Sequence, residues 1–598
     1  MNEHELRRAV AAVKNGRLSR RDFVQQMLAV GLTAPLAGMM LAQSGVAMAA
    51  TQAFPYKPTK AGGGGPLKLL FWQAPTLLNP HFAIGIKDQE AARAFYEPLA
   101  GWDAEGNLVP VLATEIPSVA NGTLAADGTS VVWKLKPGVR WHDGEPFTAD
   151  DVIFNWQYAT HPETSAVTIG DYKDIKAIDR IDDHTVRLVF AQPTPLWFTP
   201  FVGGRGTIIP KHLFGAYIGA KSREAPNNLK PVGTGAYLFV DFKPGDTVTA
   251  RLNPDYHVPN RPHFDTLEIK GGGDAVSAAR AVLQTGEFDY AWNLQVEDEI
   301  LAKLESGGQG VVEIVPTGNL EFILLNATDP NIEVDGERAS LKTRHPLFSD
   351  PAVREAVNLL IDRASIQKFI YGRGGIATPN CINNPERYRS PNMRFEFNVE
   401  KANQILETAG WKKGASGLRE KDGKPLKLVF QTSTNGPRQK NQAIIKQAFQ
   451  KAGIEVELKS IVASVFFSSD TANPDTAAHF YCDMEMYQMT MSSPEPQSFM
   501  SQYVSWEAAS KANKWQGRNI ARWQNEEYDD LYKALTRELD PVKRAALYIR
   551  LNDVVCAGRH VLPELNRPRI SGIRKGLQTH SSGWDNDLWQ LPNWYREA

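Results

Sequence analysis

The stretch Trp133-Lys134-Leu135-Lys136-Pro137-Gly138-Val139-Arg140-Trp141-His142-Asp143-Gly144-Glu145-Pro146-Phe147-Thr148-Ala149-Asp150-Asp151-Val152 moves from strand to helix through one turn. Residues 131–135 read as a short β segment, and 141–146 as a tight turn ahead of a helix. Thr148-Ala149-Asp150-Asp151 resembles a capping box: the Thr148 hydroxyl satisfies an orphan amide, and Asp151 suits the positive end of the helix dipole. Val152, Trp156 and Ala159 then share one helix face. His142-Asp143 is the most site-like histidine and acid pair in the chain, and a turn is its more economical reading.

The same grammar extends in both directions. Short β segments are expected at 67–72, 185–190, 236–242, 247–252 and 267–270, with helices interleaved. Beyond Asn326 the helices lengthen. Asp350-Pro351 caps one whose stripe is Val353, Val357, Leu360 and Ile361, and Asn398 caps another that Gly410 ends. Strand-like runs at 426–431 and 455–459 with a helix between them form a β-α-β unit, pointing to a second α/β lobe. No internal repeat is present.

The N-terminus carries the marks of export. Its charged start gives way at Phe23 to a stretch without Lys, Arg, Asp or Glu until Lys57, and the apolar part, 27–42, is interrupted by Gly31, Pro35 and Gly38. That run is shorter than the ~20 apolar residues a membrane-spanning helix needs. Ser19-Arg20-Arg21-Asp22-Phe23-Val24 has the register of a twin-arginine signal, and Ala47-Met48-Ala49 that of a cleavage site. Cleavage after Ala49 leaves 549 residues in the periplasm. Residues 50–65, with four consecutive glycines at Gly62 to Gly65, read as a flexible leader.

Composition narrows the function classes. Residues 1–49 hold six Lys or Arg and three acids, so the remainder of a chain of formal charge −1 carries about −4, which argues against a nucleic-acid partner. The three cysteines, Cys381, Cys482 and Cys556, permit one disulfide and leave the pair undetermined. The chain has no H-E-x-x-H, no G-x-S-x-G and no G-x-x-x-x-G-K, and its twelve histidines are scattered. Nothing here asks for a cofactor or a metal, and an enzyme is not the expected reading.

These motifs together resemble the family 5 extracellular solute-binding proteins of ABC importers. The 133–152 stretch looks like the family signature. Tyr96-Glu97-Pro98-Leu99, Gly233-Thr234-Gly235-Ala236-Tyr237, Val353-Arg354-Glu355-Ala356 and Ala409-Gly410-Trp411 are similar too. The resemblance implies an α/β fold: a two-lobed periplasmic-binding-protein architecture of the cluster C type with an additional inserted α+β domain. Carried onto this chain, lobe I would comprise 66–96, 229–325 and 561–598, the inserted domain 97–228, and lobe II 326–560. Crossings near 225–228 and at Asn326 would act as boundaries or hinges.

The resemblance further implies a monomeric receptor that captures a peptide-like solute between its lobes and delivers it to an ABC permease, after passage through the twin-arginine export machinery. Non-peptide cargo (an opine, a sugar conjugate, a metal chelate) is the alternative within the class. An exported enzyme or a periplasmic chaperone is the alternative outside it. By resemblance the cleft would be lined by Ile84, Ile86, Trp292, Asn293, Phe322, Met489, Met491 and Ser492. Trp292 offers a broad face and an N–H, and Asn293 can donate and accept; each is equally a core or turn residue by type. In peptide-binding members an aspartate before an acidic-proline dipeptide grips the ligand's α-amino group. The matching position here is Ser492, which leaves Asp483 or Glu485 as substitutes or a ligand without a free N-terminal amine. Arg518 and Asn519, within Trp515 to Trp523, would either meet a ligand carboxylate or brace a loop.

Overall fold

The computed structural model describes residues 3–14, 17–18, 22–23, 26–27, 55–83, 85–468, 472–491 and 493–597. Ser19, Arg20, Arg21, Val24 and the cleavage site at 47–50 lie outside the described residues, as do Ile84 and Ser492. Among the described residues no helix is long and apolar enough to cross a membrane.

Two sheets organise the chain. The first has seven strands in the order Gly310–Val315, Arg569–Arg574, Tyr290–Ala291, Pro66–Phe71, Thr266–Gly271, Thr247–Leu252, Tyr237–Lys243. Its centre is parallel, Pro66–Phe71 running beside Thr266–Gly271, while Arg569–Arg574 returns antiparallel to both of its neighbours. The second has six strands in the order Ile376–Ala377, Val561–Asn566, Leu320–Leu325, Met484–Met489, Lys427–Ser433, Glu455–Ile461. The last two pair in parallel, which requires a crossover, and the helix Gly436–Lys451 supplies it, capped by Asn435 accepting from Arg438 N–H.

The opening stretch folds as its residues dictate. Ser130–Lys134 pairs with Thr185–Phe190 in a three-stranded sheet with Ile175–Asp182. Thr148 and Asp151 close a reciprocal capping box on Ala149–Thr160, Thr148 N–H donating to Asp151 at 3.0 Å. The turn is closed by Gly144 N–H donating to Trp141 O at 2.9 Å. His142 belongs to that turn structurally: Gly233 N–H donates to its Nδ1 (3.1 Å) and its Nε2 reaches Gly235 O (2.9 Å), fastening the 233–235 segment. Farther on, Asp350 accepts from Ala352 N–H, and Val353, Val357, Leu360 and Ile361 are fully buried, as the stripe requires.

Two sequence expectations need correction. The four glycines are not a free leader: Gly62 N–H and Gly64 N–H donate to Pro262 O and His263 O, and Gly63 and Gly65 donate to the Asp265 carboxylate at 2.8 Å each. Glycine is needed there because Gly62, Gly63 and Gly65 hold φ of +72°, +87° and +69°, and a Cβ at Gly64 would sit 2.5 Å from the His263 ring. Second, Leu320–Leu325 and Val561–Asn566, which boundaries at 325/326 and 560/561 assign to lobe I, are adjacent strands of the second sheet. The chain changes sheets earlier and later than Asn326 suggests, at 316–319 and 567–568. Asn326 lies inside the second body, its amide donating to Phe480 O and Cys482 O.

Candidate functional site

The two crossings between sheets run side by side and are stitched together. Thr317 Oγ1 donates to Arg567 O (2.7 Å), Arg567 N–H to Asn319 O (2.9 Å), and Asn384 Nδ2 to Thr317 O (2.8 Å). Beneath them, the Glu321 carboxylate lies between two guanidiniums, Arg438 Nε at 2.5 Å and Arg567 Nη1 at 3.1 Å, all three side chains nearly sealed from solvent. A buried acid held by two buried bases is costly to break from either side. It welds the second crossing to the start of the Gly436–Lys451 helix. Behind it, Glu564 accepts from Asn441 Nδ2 (2.8 Å), and burial, reinforced by the neighbouring Glu321, pushes its carboxyl up to about 7.

A third segment arrives at the crossings from Met484–Met489. Met491 N–H donates to Asn319 Oδ1 at 3.0 Å, and the Met491 side chain lies against Gly318, where a Cβ would stand 2.6 Å from the sulfur. Four residues on, Glu495 is clamped by Tyr548 O–H (2.6 Å), Tyr388 O–H (2.8 Å) and Arg544, with Arg387 at 3.6 Å. Burial alone would raise this carboxyl, but the Arg544 and Arg387 guanidiniums hold it below its ordinary value. The segment is therefore anchored on both sides of Ser492. Pro494, between them, abuts Gly106 of the 97–228 region.

The first sheet supplies the facing wall. Asn293 follows Tyr290–Ala291 with a φ of +55°, and its carbonyl accepts from Trp72 Nε1 at 2.8 Å. Contacts then pass across to the second body: Asn435 Nδ2 donates to Gln295 Oε1 (2.9 Å), Lys440 pairs with Glu297 (2.8 Å), and Arg373 with Asp298 (2.7 Å). Two neighbouring crossings, called the pivot below, thus join the sheets and are flanked by polar contacts between the two bodies.

The structure gathers some of the expected residues here and not others. Met489 is half-buried at the end of its strand, opposite Leu320, and Met491 is on the pivot. Trp292 stacks on Phe71 with ring centroids 5.1 Å apart, one face committed to that contact. Ile86, half-buried, opens the helix Ile86–Ala92 and packs on the main core. Phe322 is wholly interior, edge-on to Tyr487 at 4.8 Å. Arg518 Nη1 donates to Ser498 O (2.7 Å) and Ser501 Oγ (2.9 Å). Asn519 is buried, with Nδ2 on Val504 O and Trp523 O.

Both substitute acids are buried and meet protein groups. Asp483 is engaged by His345 Nε2 (2.9 Å) and Val429 N–H (2.6 Å). Glu485 is fully buried against Gln431, and burial pushes its carboxyl far up. Sequence reading missed the pivot itself and the Arg438-Glu321-Arg567 triad. The Pro-Thr-Gly-Asn run at 316–319 was the available punctuation. Among the described residues no group of three or more His, Cys, Asp or Glu is placed to hold a metal ion.

The family model described as bacterial extracellular solute-binding proteins, family 5 Middle, matches residues 107–511. The oligopeptide-binding protein AppA of Bacillus subtilis strain 168 is 28% identical over 406 residues, 67% of this chain and 69% of that protein. The glutathione-binding protein GsiB of Escherichia coli K12 is 24% identical over 520 residues, 84% and 89%. Among solved structures, AppA in complex with a nonapeptide aligns with a TM-score of 0.75 at 22% identity, covering 91% of this chain and all of AppA. NikZ from Campylobacter jejuni in complex with Ni(L-His) aligns at 0.74 and 21%, covering 89% and 99%. Each of these likenesses to a solved structure is a likeness of two-lobed fold.

Proposed function

The chain belongs to the bacterial extracellular solute-binding proteins of family 5, and from that premise we propose that it captures a peptide-like solute between its two sheet-centred lobes for a membrane ABC permease. The observation that carries the reading is the pivot. Two adjacent crossings, 316–319 and 567–568, join the sheets, with the Met491 to Glu495 segment anchored directly on one of them. Contacts made to a ligand only when the lobes close shift the open-to-closed balance, and that shift reports occupancy.

The peptide-like class draws support from AppA and GsiB, whose names state oligopeptide and glutathione binding. Our proposed contact set is Met489, Met491, Ser492, Trp292 and Asn293, together with Ile84 and Ile86. With serine at 492, and with Asp483 and Glu485 engaged elsewhere, the amino end of the ligand is held by neutral hydrogen bonds rather than by a carboxylate. Export by the twin-arginine route, cleavage after Ala49, a monomeric state and the absence of catalysis complete the proposal.

A thermal-shift screen of the mature protein tests it. A ligand at ~100 times its Kd adds about 2.7 kcal/mol, roughly 2 °C for a chain of this size. Stabilisation by short peptides, with N-acetylated forms nearly as effective, is expected. Stabilisation by opines, sugars or chelated metals alone would overturn the peptide class and keep the receptor.

A further inference from the structure

Of the three cysteines, two meet. Cys381 Sγ and Cys556 Sγ stand 3.6 Å apart although 175 positions separate them in sequence, and neither residue has exposed surface. Asn552, one turn before Cys556 on the helix Pro541–Ala557, holds the arrangement. Its Oδ1 accepts from Cys381 N–H (2.8 Å) and Ile382 N–H (3.2 Å), and its Nδ2 donates to Asn380 Oδ1 (2.8 Å). Cys482 is elsewhere, its thiol donating to Met484 O at 3.2 Å. The two sulfurs are in contact, and a bond would bring them to about 2.05 Å.

We propose that Cys381 and Cys556 are joined by a disulfide in the extracellular protein, leaving Cys482 as its one thiol. The electron acceptor is a small or protein-borne disulfide. One cysteine thiolate attacks it and forms a mixed disulfide, releasing the first thiol. The second cysteine attacks the protein-side sulfur, forms the Cys381–Cys556 bond and releases the second thiol. The protein gives up two electrons and two protons, and the acceptor gains both. Burial pushes the Cys381 thiol far up, so the exchange takes place when the 378–390 segment opens locally over the pair, which a protein exported already folded can do once it is outside. The bond would fix that segment to the C-terminal helix. The same segment sends Asn384 to the pivot carbonyl of Thr317 and Tyr388 to Glu495.

The test is a thiol count in denaturant on the mature chain, refolded in a glutathione redox buffer and freed of it. One thiol per chain is expected, rising to three after reduction, with a peptide pair containing residues 381 and 556 lighter by two hydrogens. The Cys482→Ser variant should count none before reduction. Three thiols after oxidative refolding, or a cross-link that includes Cys482, would overturn the proposal. Reductant should also lower the wild-type Tm by about 4 °C, given the long loop closed. A Cys381→Ala, Cys556→Ala double variant should ignore reductant; if it does not fold, the wild-type count decides.

Discussion

Asn566 ends the strand that leads into the 567–568 crossing and Asn319 lies on the 316–319 crossing, and the Asn566 amide donates to the Asn319 carbonyl at 2.9 Å and to Thr317 O at 3.0 Å. One side-chain nitrogen thus ties the end of that strand to the neighbouring crossing at two points. Asn566→Ala removes one of two donors to each carbonyl, since Arg567 N–H still serves Asn319 O and Asn384 Nδ2 still serves Thr317 O, and should cost about 1–2 kcal/mol for the two lost hydrogen bonds. Urea unfolding should register that loss, and small-angle scattering of the ligand-free variant should show a larger radius of gyration. An unchanged scattering profile would mean that the pivot does not depend on this amide.

Gly318 is small because Met491 occupies the space a Cβ would need, 2.6 Å from the sulfur. Gly318→Ala should destabilise by about 1–3 kcal/mol through overpacking. Adding Met491→Ala should recover part of that loss, so the double-mutant cycle gives a nonzero coupling. Additive losses would place the cost of the alanine elsewhere.

The carboxyl of Glu564 is raised from its ordinary 4.5 to about 7, first by burial and then by Glu321 nearby. Between those values the folded protein keeps a proton that the unfolded chain has released. This contribution is therefore fully present below about pH 4.5 and is lost as pH climbs toward 7, by on the order of 3 kcal/mol. Glu564→Gln imitates the protonated form. Relative to wild type it should become progressively more stable from pH 5 to pH 8, as read from denaturation midpoints; a constant difference across that range would contradict the assignment.

Ser492 follows the Met491 anchor on the pivot. If the proposed site is correct, Ser492→Asp adds the missing carboxylate and should tighten binding of free-amine peptides about tenfold over their N-acetylated forms, the scale of a charge-assisted hydrogen bond. Equal effects on both forms, measured by calorimetry, would place the amino end of the ligand away from residue 492.

Glu321 tests the weld beneath the pivot. Glu321→Ala leaves Arg438 and Arg567 buried without their shared acid, a loss of about 3–5 kcal/mol. Comparison of urea midpoints with Glu321→Gln, which keeps an acceptor for both, should show the smaller loss in the glutamine variant.

What the chain states by itself is local. The Thr148 and Asp151 box, the Asp350 cap with its stripe, the Asn398 cap and the 427–461 β-α-β unit each rest on residues a few positions apart, where side-chain reach and helix period decide the outcome. The signature around 133–152 added the family, and with it the two-lobed fold. Tertiary structure decided what depends on partners far apart. Thr317 finds Asn566 across 249 positions, Cys381 finds Cys556 across 175, and Gly62 to Gly65 lie along residues 262–265. It also shows where side chains of open use are placed, Arg518 against Ser498 and Ser501 and Glu485 buried against Gln431. Periodicity says that a face is apolar or a residue polar. Only the folded packing says which distant group it meets, because burial and hydrogen-bond satisfaction are set by all the neighbours at once.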